Sequence, residues 1–567
     1  MMTRPADRQW LSMYSRPFPD VVEPECGSAL EAFRRNAEAA PGARLLTYFD
    51  TELTFGEVDR LSDAFAVALT ERGVRRGDRV AVYMQNNPQY VVSLLAAWKI
   101  GAVHVPLNPM LRETELRYHL GDCGAVVLVV LDSLWEDIAR GAVSSTPVRH
   151  VITTSAQDMQ TRNDVRLFPN PDRRTIGDAE DMLDVLRSFD GRRPEPFAPA
   201  LDDPAFLCYT SGTTGTAKGA KSTHRNVVVL SQVVRDVFGL TPESAVLGLA
   251  PLFHITGLVV QLIPCLLSRS AIILSHRFQP DVMLDSIREY RPTHAVGAIT
   301  AYVALTQVPG NTHEDFASFV RIYSGGAPIS PATADAFKQI TGHQILGAYG
   351  MIEATGATCL GPAGYPAPVD PGTGALAVGI PIPGTTVRIV DEDGNEVPAG
   401  TPGEVVFEGP GVIPGYWNRP DATAETIRDG LLYSGDVGVI NEDGWVFLVD
   451  RKKDLINCSG FKVWPREVED ALNENPAVKE SAVVGVPDAY RGESVKAFVS
   501  LKAGAVATPE SLREFLADRL AAYKRPGTIE ILPELPKTAS GKILRRSLRT
   551  APQGLSSAEL KLTCREI

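Results

Sequence analysis

Cysteine is sparse and unpatterned in this chain. Seven cysteines are scattered over 567 residues, an odd number with no C-x-x-C pair. That excludes a disulfide framework and a zinc site of that spacing, and it fits reduced thiols in a cytosolic protein. Positive charge is also short, with a formal net charge of −12. An acidic surface argues against a nucleic-acid binder that works by neutralising phosphates, although it permits a local basic pocket for an anionic cofactor. The opening MMTRPADRQW lacks the apolar run of a signal peptide. Ala245 to Leu267 carries no Lys, Arg, Asp or Glu, yet it contains Pro251, His254, Gly257 and Pro264. Those residues suit a buried strand, turn and helix rather than a membrane span. Internal repeats and low-complexity tracts are missing too.

What is present is an ordinary globular composition, 44% hydrophobic and 22% charged. The length exceeds one ordinary core, so at least two domains are expected. Thr54-Phe-Gly-Glu57 reads as a capping box. Val58, Leu61, Phe65 and Leu69 follow at helical spacing, and Gly73 ends the pattern. A strand over Gly77–Met84, a helix over Tyr90–Lys99 and a strand over Ala102–Leu107 come next. Strand, helix and strand with short connections point to a parallel, helix-covered sheet. Residues 143–199 are polar and read as a surface excursion with a helix near Ala179–Phe189. Thr385–Gly409 alternates apolar and polar residues around Gly- and Pro-rich turns, which predicts antiparallel strands in a β-rich unit. Beyond Asp450 the pattern restarts as a small α+β unit. It has a helix carrying Val468 and Leu472, strands at VVGVPD and VKAFVSL, a helix at Pro509–Arg519 and a strand at Thr528–Leu532. The expected class is therefore α/β. It comprises a large N-terminal domain over 1–449, of parallel helix-covered sheets plus a β-rich subdomain, and a small α+β C-terminal domain over 455–567.

Chemistry concentrates after the strand Phe206–Thr210. The run Thr210-Ser-Gly-Thr-Thr-Gly-Thr-Ala-Lys-Gly219 packs hydroxyls and glycines into a short loop and adds one cation. Glycine lets backbone N–H groups approach an anion, hydroxyls donate further hydrogen bonds, and Lys218 supplies a point charge suited to phosphate. It is not a P-loop, because Ala217 and Gly219 flank the lysine.

YTSGTTGTAKG resembles the signature loop of the adenylate-forming superfamily, which includes acyl-CoA synthetases, beetle luciferases and non-ribosomal adenylation domains. Further segments of that family follow in order over nearly the whole chain. The resemblance implies a carboxylic acid activated by ATP as an acyl-adenylate, then passed to coenzyme A, with Mg²⁺ present. Thr210, Ser211, Gly212, Thr213, Thr214, Gly215 and Lys218 would hold phosphates. His254 and Gly257, in the PLFH segment, would border the acyl pocket. Ser324, Gly325, Gly326 and Ala327 would line the adenine and acyl sites. Gly347, Ala348, Tyr349 and Gly350 would also meet the nucleotide, and Gly350 the acid. Glu353 would bind Mg²⁺. Asp436 and Arg451 would take the ribose, and Lys453 would be the hinge within 450–454 that makes the small domain mobile. Ser459, Gly460 and Lys462 would line the pantetheine tunnel, and Lys542, in PKTASGK, would be the catalytic lysine. Two positions depart from the family. Ala217 stands where proline is usual, and Ile352 stands where a threonine would contact the α-phosphate, leaving the loop hydroxyls or Thr355 to compensate.

A medium- or long-chain fatty acid or an aryl acid suits the apolar segment after Val246. The other readings are a fatty acyl-AMP ligase that ignores CoA and a catalytically weak nucleotide or acyl-AMP binder. An amino-acid-activating unit would carry an Asp after Phe253, where this chain has His254. A soluble cytoplasmic enzyme is expected, with no nucleic-acid partner, and peripheral membrane contact is compatible with a lipid substrate.

Overall fold

The computed structural model describes residues 9–19, 21–170, 173–210, 216–458, 461–488, 492–537 and 543–549. Among the described residues, three sheets organise the fold. The first has seven strands, ordered Glu180–Asp181, His150–Thr154, Ala125–Leu131, Arg79–Tyr83, Val103–Leu107, Pro204–Tyr209 and Gly219–Thr223. All neighbours in it are parallel except the last pair, an antiparallel hairpin. The second sheet has fourteen strands. Its parallel portion runs from Arg44–Tyr48 to Ile345–Met351, and beyond that it turns antiparallel through Thr386–Val390, Gly403–Glu408, Leu431–Ile440 and Val446–Arg451. The third has five strands, all from Ile456 onward. The molecule is thus a large parallel-sheet α/β domain that carries an antiparallel β unit, followed by a smaller C-terminal domain.

Local chemistry accounts for the elements. Thr54 Oγ1 accepts from Glu57 N at 3.2 Å, and Glu57 Oε2 accepts from Thr54 N at 2.8 Å, so the capping box starts the helix Phe55–Glu71. Val58, Phe65 and Leu69 on that helix are buried, each stabilising the core by roughly 1.5–3 kcal/mol. The strand Ala125–Leu131 is buried at every residue, as a central parallel strand covered on both faces should be. Ala245–Leu267 folds as a strand, a turn and a helical segment in the core. Among the described residues no helix is long and apolar enough to cross a membrane. The polar excursion also contributes an edge strand, Glu180–Asp181, just before its helix Met182–Ser188. All six described cysteines are buried, and none of them forms a disulfide.

Asp450-Arg-Lys-Lys-Asp454 reads in isolation as a solvated charged loop, but both of its aspartates are buried. Asp450 accepts backbone N–H bonds from Arg451 at 2.7 Å and Arg466 at 2.9 Å. Arg545 reaches Glu469 at 2.6 Å, Asp454 at 3.5 Å and Asp450 at 3.6 Å, and Arg549 reaches Asp454 at 2.9 Å. Burial outweighs the favourable Arg545 charge and pushes the Asp450 carboxyl up from 3.8 to about 6.

The sign of the resulting pH dependence follows. A carboxyl whose folded pKa is raised contributes stability below its unfolded pKa and loses it as pH rises through the folded value. Wild type should therefore lose about 2 kcal/mol at this position between pH 4 and pH 7, and Asp450→Asn should not. Unfolding free energies of the two proteins at both pH values check this, and a wild-type-to-variant gap that stays constant with pH would refute it.

Candidate active site

The glycine- and hydroxyl-rich loop is the connection of the Pro204–Tyr209 and Gly219–Thr223 hairpin, so its two ends are neighbours by register. Thr210 N donates to Lys218 O at 2.9 Å, closing the loop base, and Lys218 N lies 3.4 Å from Thr210 Oγ1. Ser211, Gly212, Thr213, Thr214 and Gly215 lie outside the described residues. The rim is held from the helix Glu113–Cys123. Tyr118 OH donates to Ala217 O at 2.8 Å, and Asp122 accepts from Tyr209 OH at 2.7 Å and from Arg419 at 2.5 Å. Ala217 thus lacks the stiffness of proline, but its carbonyl is tied down.

Past the loop, backbone bonds join the exit strand to Gly415–Trp417. Trp417 N donates to Gly219 O at 2.7 Å, and Lys221 N donates to Gly415 O at 3.1 Å. Tyr416, between them, pairs with Ala220. Its hydroxyl donates to Glu353 Oε1 at 2.7 Å, and the Lys218 ammonium lies over its ring, 5.0 Å from the centroid. Glu353 follows the strand Ile345–Met351 in a short helical turn, and its carbonyl accepts from Ile413 N at 2.9 Å. The Ile352 side chain packs against Ala220, Ile413 and Tyr416. Thr355 cannot stand in for a phosphate-binding hydroxyl at 352. It is buried, in a left-handed conformation with φ +57°, and donates its hydroxyl to Gly411 O at 2.8 Å. That bond offsets a backbone strain of order 1 kcal/mol for a β-branched residue.

A second cluster forms where the parallel and antiparallel portions of the large sheet meet. Tyr349 is buried against Phe407, and its hydroxyl donates to Asp436 Oδ2 at 2.7 Å. Burial, then the Asp436 charge, hold the Tyr349 phenol well above its usual pKa, so it stays a donor. Asp436 and Arg451 are cross-strand partners, with Arg451 Nε 3.5 Å from Asp436 Oδ1. Gly325 and Ala348 are also paired in register, and Gly326 turns the chain at φ +81° ahead of Ala327. Close backbone approach accounts for several glycines. An added Cβ would meet Ala348 O at 2.6 Å from Gly325, the Val378 backbone at 2.8 Å from Gly347, Gly356 O at 1.8 Å from Gly350 and Pro251 O at 2.0 Å from Gly257. His254 is half-buried, its Nδ1 3.1 Å from Thr256 Oγ1. Ser324 is buried, and its hydroxyl has no hydrogen-bond partner among the described residues.

Lys453 is exposed in the turn after Arg451. Lys462 sits in the strand Phe461–Val463, register-paired with Asn457. Ser459, Gly460 and Lys542 lie outside the described residues. The structure thus gathers Lys218 and Glu353 around Tyr416, and Tyr349, Asp436 and Arg451 around one carboxylate. Sequence reasoning missed Tyr118, Asp122 and Arg419 at the loop rim, because the helix carrying the first two bears no motif. Tyr416 was missed too, because its bond to a residue 63 positions away has no local sign.

The donor set suits one kind of metal. Among the described residues no group of three or more His, Cys, Asp or Glu could enclose an ion. A buried carboxylate such as Glu353, near the Lys218 ammonium, is the kind of donor that suits Mg²⁺, which keeps waters and takes one or two carboxylates along with substrate phosphates.

Residues 33–417 match the family model of AMP-binding enzymes, and 467–542 match the C-terminal domain of AMP-binding enzymes. The chain is 37% identical to a long-chain-fatty-acid–CoA ligase of Yersinia pestis, with 96% of this chain and 98% of that protein covered. It is 35% identical to a feruloyl-CoA synthase of an Amycolatopsis species, covering 91% and 97%. A crystal structure of the anthranilate CoA ligase AuaEII with anthranoyl-AMP superposes with a TM-score of 0.82 at 28% identity, covering 92% and 96%. The chain belongs to the family of AMP-binding enzymes and, within it, to the acyl-CoA synthetases.

Proposed function

We propose that this enzyme converts a long-chain fatty acid to its acyl-CoA thioester in the cytoplasm through an acyl-adenylate. A carboxylate is a poor acyl donor because its leaving group would be oxide. Attack of a carboxylate oxygen on the α-phosphorus of ATP makes a mixed anhydride and releases pyrophosphate. The thiol of CoA then displaces AMP from the acyl carbon. Little proton transfer is needed in the first step, so positioning and charge neutralisation lower the barrier.

Each residue has a role in this reading. The loop from Thr210 to Lys218 holds the β and γ phosphates, through its backbone, its hydroxyls and one ammonium. Lys542 neutralises the charge that builds on the carboxylate and α-phosphate, and Glu353 would hold a Mg²⁺ ion beside them. When bound, the metal supplies electrostatic neutralisation of the phosphate oxygens. Asp436 and Arg451 take the ribose, with Tyr349 fixing the Asp436 carboxylate from behind. Rotation at Lys453 exchanges Lys542 for the segment Ser459–Lys462 and admits CoA.

The observation that carries the fatty-acid assignment is full-length similarity to long-chain-fatty-acid–CoA ligases at 35–37% identity. The Ala245–Leu267 segment adds support, because it brings no Lys, Arg, Asp or Glu to recognise a charged acid. An aryl acid is the second reading, favoured by the feruloyl-CoA synthase and by the anthranoyl-AMP complex of AuaEII.

A panel of fatty acids of increasing length and of aromatic acids, assayed for pyrophosphate release with and without CoA, decides the acid. Long-chain acids should give the highest kcat/KM, with acyl-CoA formed only when CoA is added. Highest turnover with a cinnamic or benzoic acid would replace the assignment with the aryl reading. Lys542→Ala should lower adenylate formation by about a hundredfold or more, the scale for loss of one well-placed electrostatic contact. Lys453→Pro should leave adenylate formation near wild type and abolish thioester formation, measured as separate half-reactions. Equal loss of both half-reactions would remove Lys453 as the pivot.

A further inference from the structure

Tyr416 touches both charged groups that the phosphate site depends on. Its hydroxyl is 2.7 Å from Glu353 Oε1, and its ring lies under the Lys218 ammonium at 5.0 Å. The residue has little freedom. It is buried, and its backbone N donates to Thr423 Oγ1 at 3.0 Å. It is bridged to Ala220, with the Lys221–Gly415 and Trp417–Gly219 bonds on either side. Gly415 permits this close packing, since an added Cβ would strike Thr423 Cγ2 at 2.7 Å and its φ is +148°.

We propose that Tyr416 is a positioning residue that fixes the Glu353 carboxylate and the Lys218 ammonium relative to each other for binding a Mg²⁺-nucleotide. The proposal rests on the ligase reading for the roles of those two groups. An ionised carboxylate on a long side chain can present either oxygen in many orientations. Donation to Oε1 sets the carboxylate plane and leaves Oε2 for a cation. The ring acts differently on Lys218. A carboxylate in that place would orient the ammonium and also neutralise it. An aromatic face attracts a cation through its quadrupole without carrying net charge, so the full positive charge remains available for phosphate. Partners that orient a metal ligand change metal affinity by roughly 10- to 100-fold when removed.

The two functions separate by substitution. Tyr416→Phe keeps the ring and loses the hydroxyl, and Tyr416→Leu loses both. The probes are Mn²⁺, followed by electron paramagnetic resonance with the uncleavable analogue α,β-methylene-ATP, and the same analogue bound without metal in EDTA, followed by calorimetry. Tyr416→Phe should weaken Mn²⁺ binding in the ternary complex roughly tenfold and leave metal-free analogue binding within about twofold of wild type. Tyr416→Leu should weaken both. Wild-type Mn²⁺ affinity in Tyr416→Phe overturns the proposal, as does a loss of metal-free binding as large as the loss of Mn²⁺ binding. A merely structural tyrosine gives the second pattern. Acid-dependent pyrophosphate release by wild type is measured alongside. Its absence sinks the ligase reading, whereas its presence with unchanged Mn²⁺ affinity in Tyr416→Phe sinks the Tyr416 assignment alone.

Discussion

The backbone pairing of Gly219–Lys221 with Gly415–Trp417 is the seam on which the site depends. It joins the edge strand of the seven-stranded sheet to a segment between two antiparallel strands of the fourteen-stranded sheet. Without it the loop between Thr210 and Lys218 would hang from one sheet while Glu353 belonged to the other. With it, the loop exit, the aromatic ring of Tyr416 and the carboxylate of Glu353 share one rigid framework. Gly219 tightens the seam, since even a Cβ there would lie 3.3 Å from the Tyr209 ring and 3.5 Å from Trp417. Rigidity at this point has a catalytic meaning, because phosphoryl and adenylyl chemistry depends on fixed charges more than on proton transfer.

Two lysines show how the fold spends its few cations. Lys99 is fully buried, with its ammonium 2.7 Å from Asp59 and 2.6 Å from Asp63, and it ties the helix Phe55–Glu71 to Pro88–Lys99. Its charge is fully compensated, as burial requires. Lys218 is half-buried and faces a ring. In a chain with net charge −12, a cation whose near neighbour is an aromatic face is a local positive spot. The same residue type is therefore structural in one place and left electrostatically open in the other, and the difference lies in the neighbours.

Much of this was legible in the sequence, and the unread part shares one physical cause. The capping box at Thr54 and Glu57, the strands Arg79–Tyr83 and Val103–Leu107 and the Thr386–Glu408 hairpin rest on spacing within short stretches of chain, so periodicity finds them. The ordered motifs found the loop, Glu353, Asp436 and Arg451. Their mutual contacts are different. Tyr416 with Glu353 spans 63 residues and Tyr349 with Asp436 spans 87. Such pairs exist only because strands far apart in the chain become neighbours, and no local pattern encodes that. Thr355 shows the same limit. Its hydroxyl looked available beside Ile352, but the turn buries it and points it at Gly411. The DRKKD run misleads for a related reason, because its burial partners Arg545 and Arg549 come about ninety residues later.

That charge cluster also locates the cost of any rotation at Lys453. Arg545 and Arg549 follow closely on the segment that carries Lys542, and both bind Asp454. Arg545 binds Glu469 as well, so Asp454, Glu469 and the C-terminal arginines can move as one body. Asp450 lies on the other side of Lys453. Its contacts with Arg466 N and Arg545, together with the Arg466 bond to Leu448 O, are among those a pivot at Lys453 would break. Losing Arg545 and the Arg466 N–H would leave a buried carboxylate with the Arg451 N–H at 2.7 Å as its remaining named partner, which is costly unless water or a proton replaces the lost ones. A carboxyl already raised to about 6 takes up that proton more readily than an ordinary aspartate. The residue whose partners would be lost in rotation is thus also the one best able to neutralise itself, and the resistance to opening should rest on the Arg466 side chain more than on the charge of Asp450.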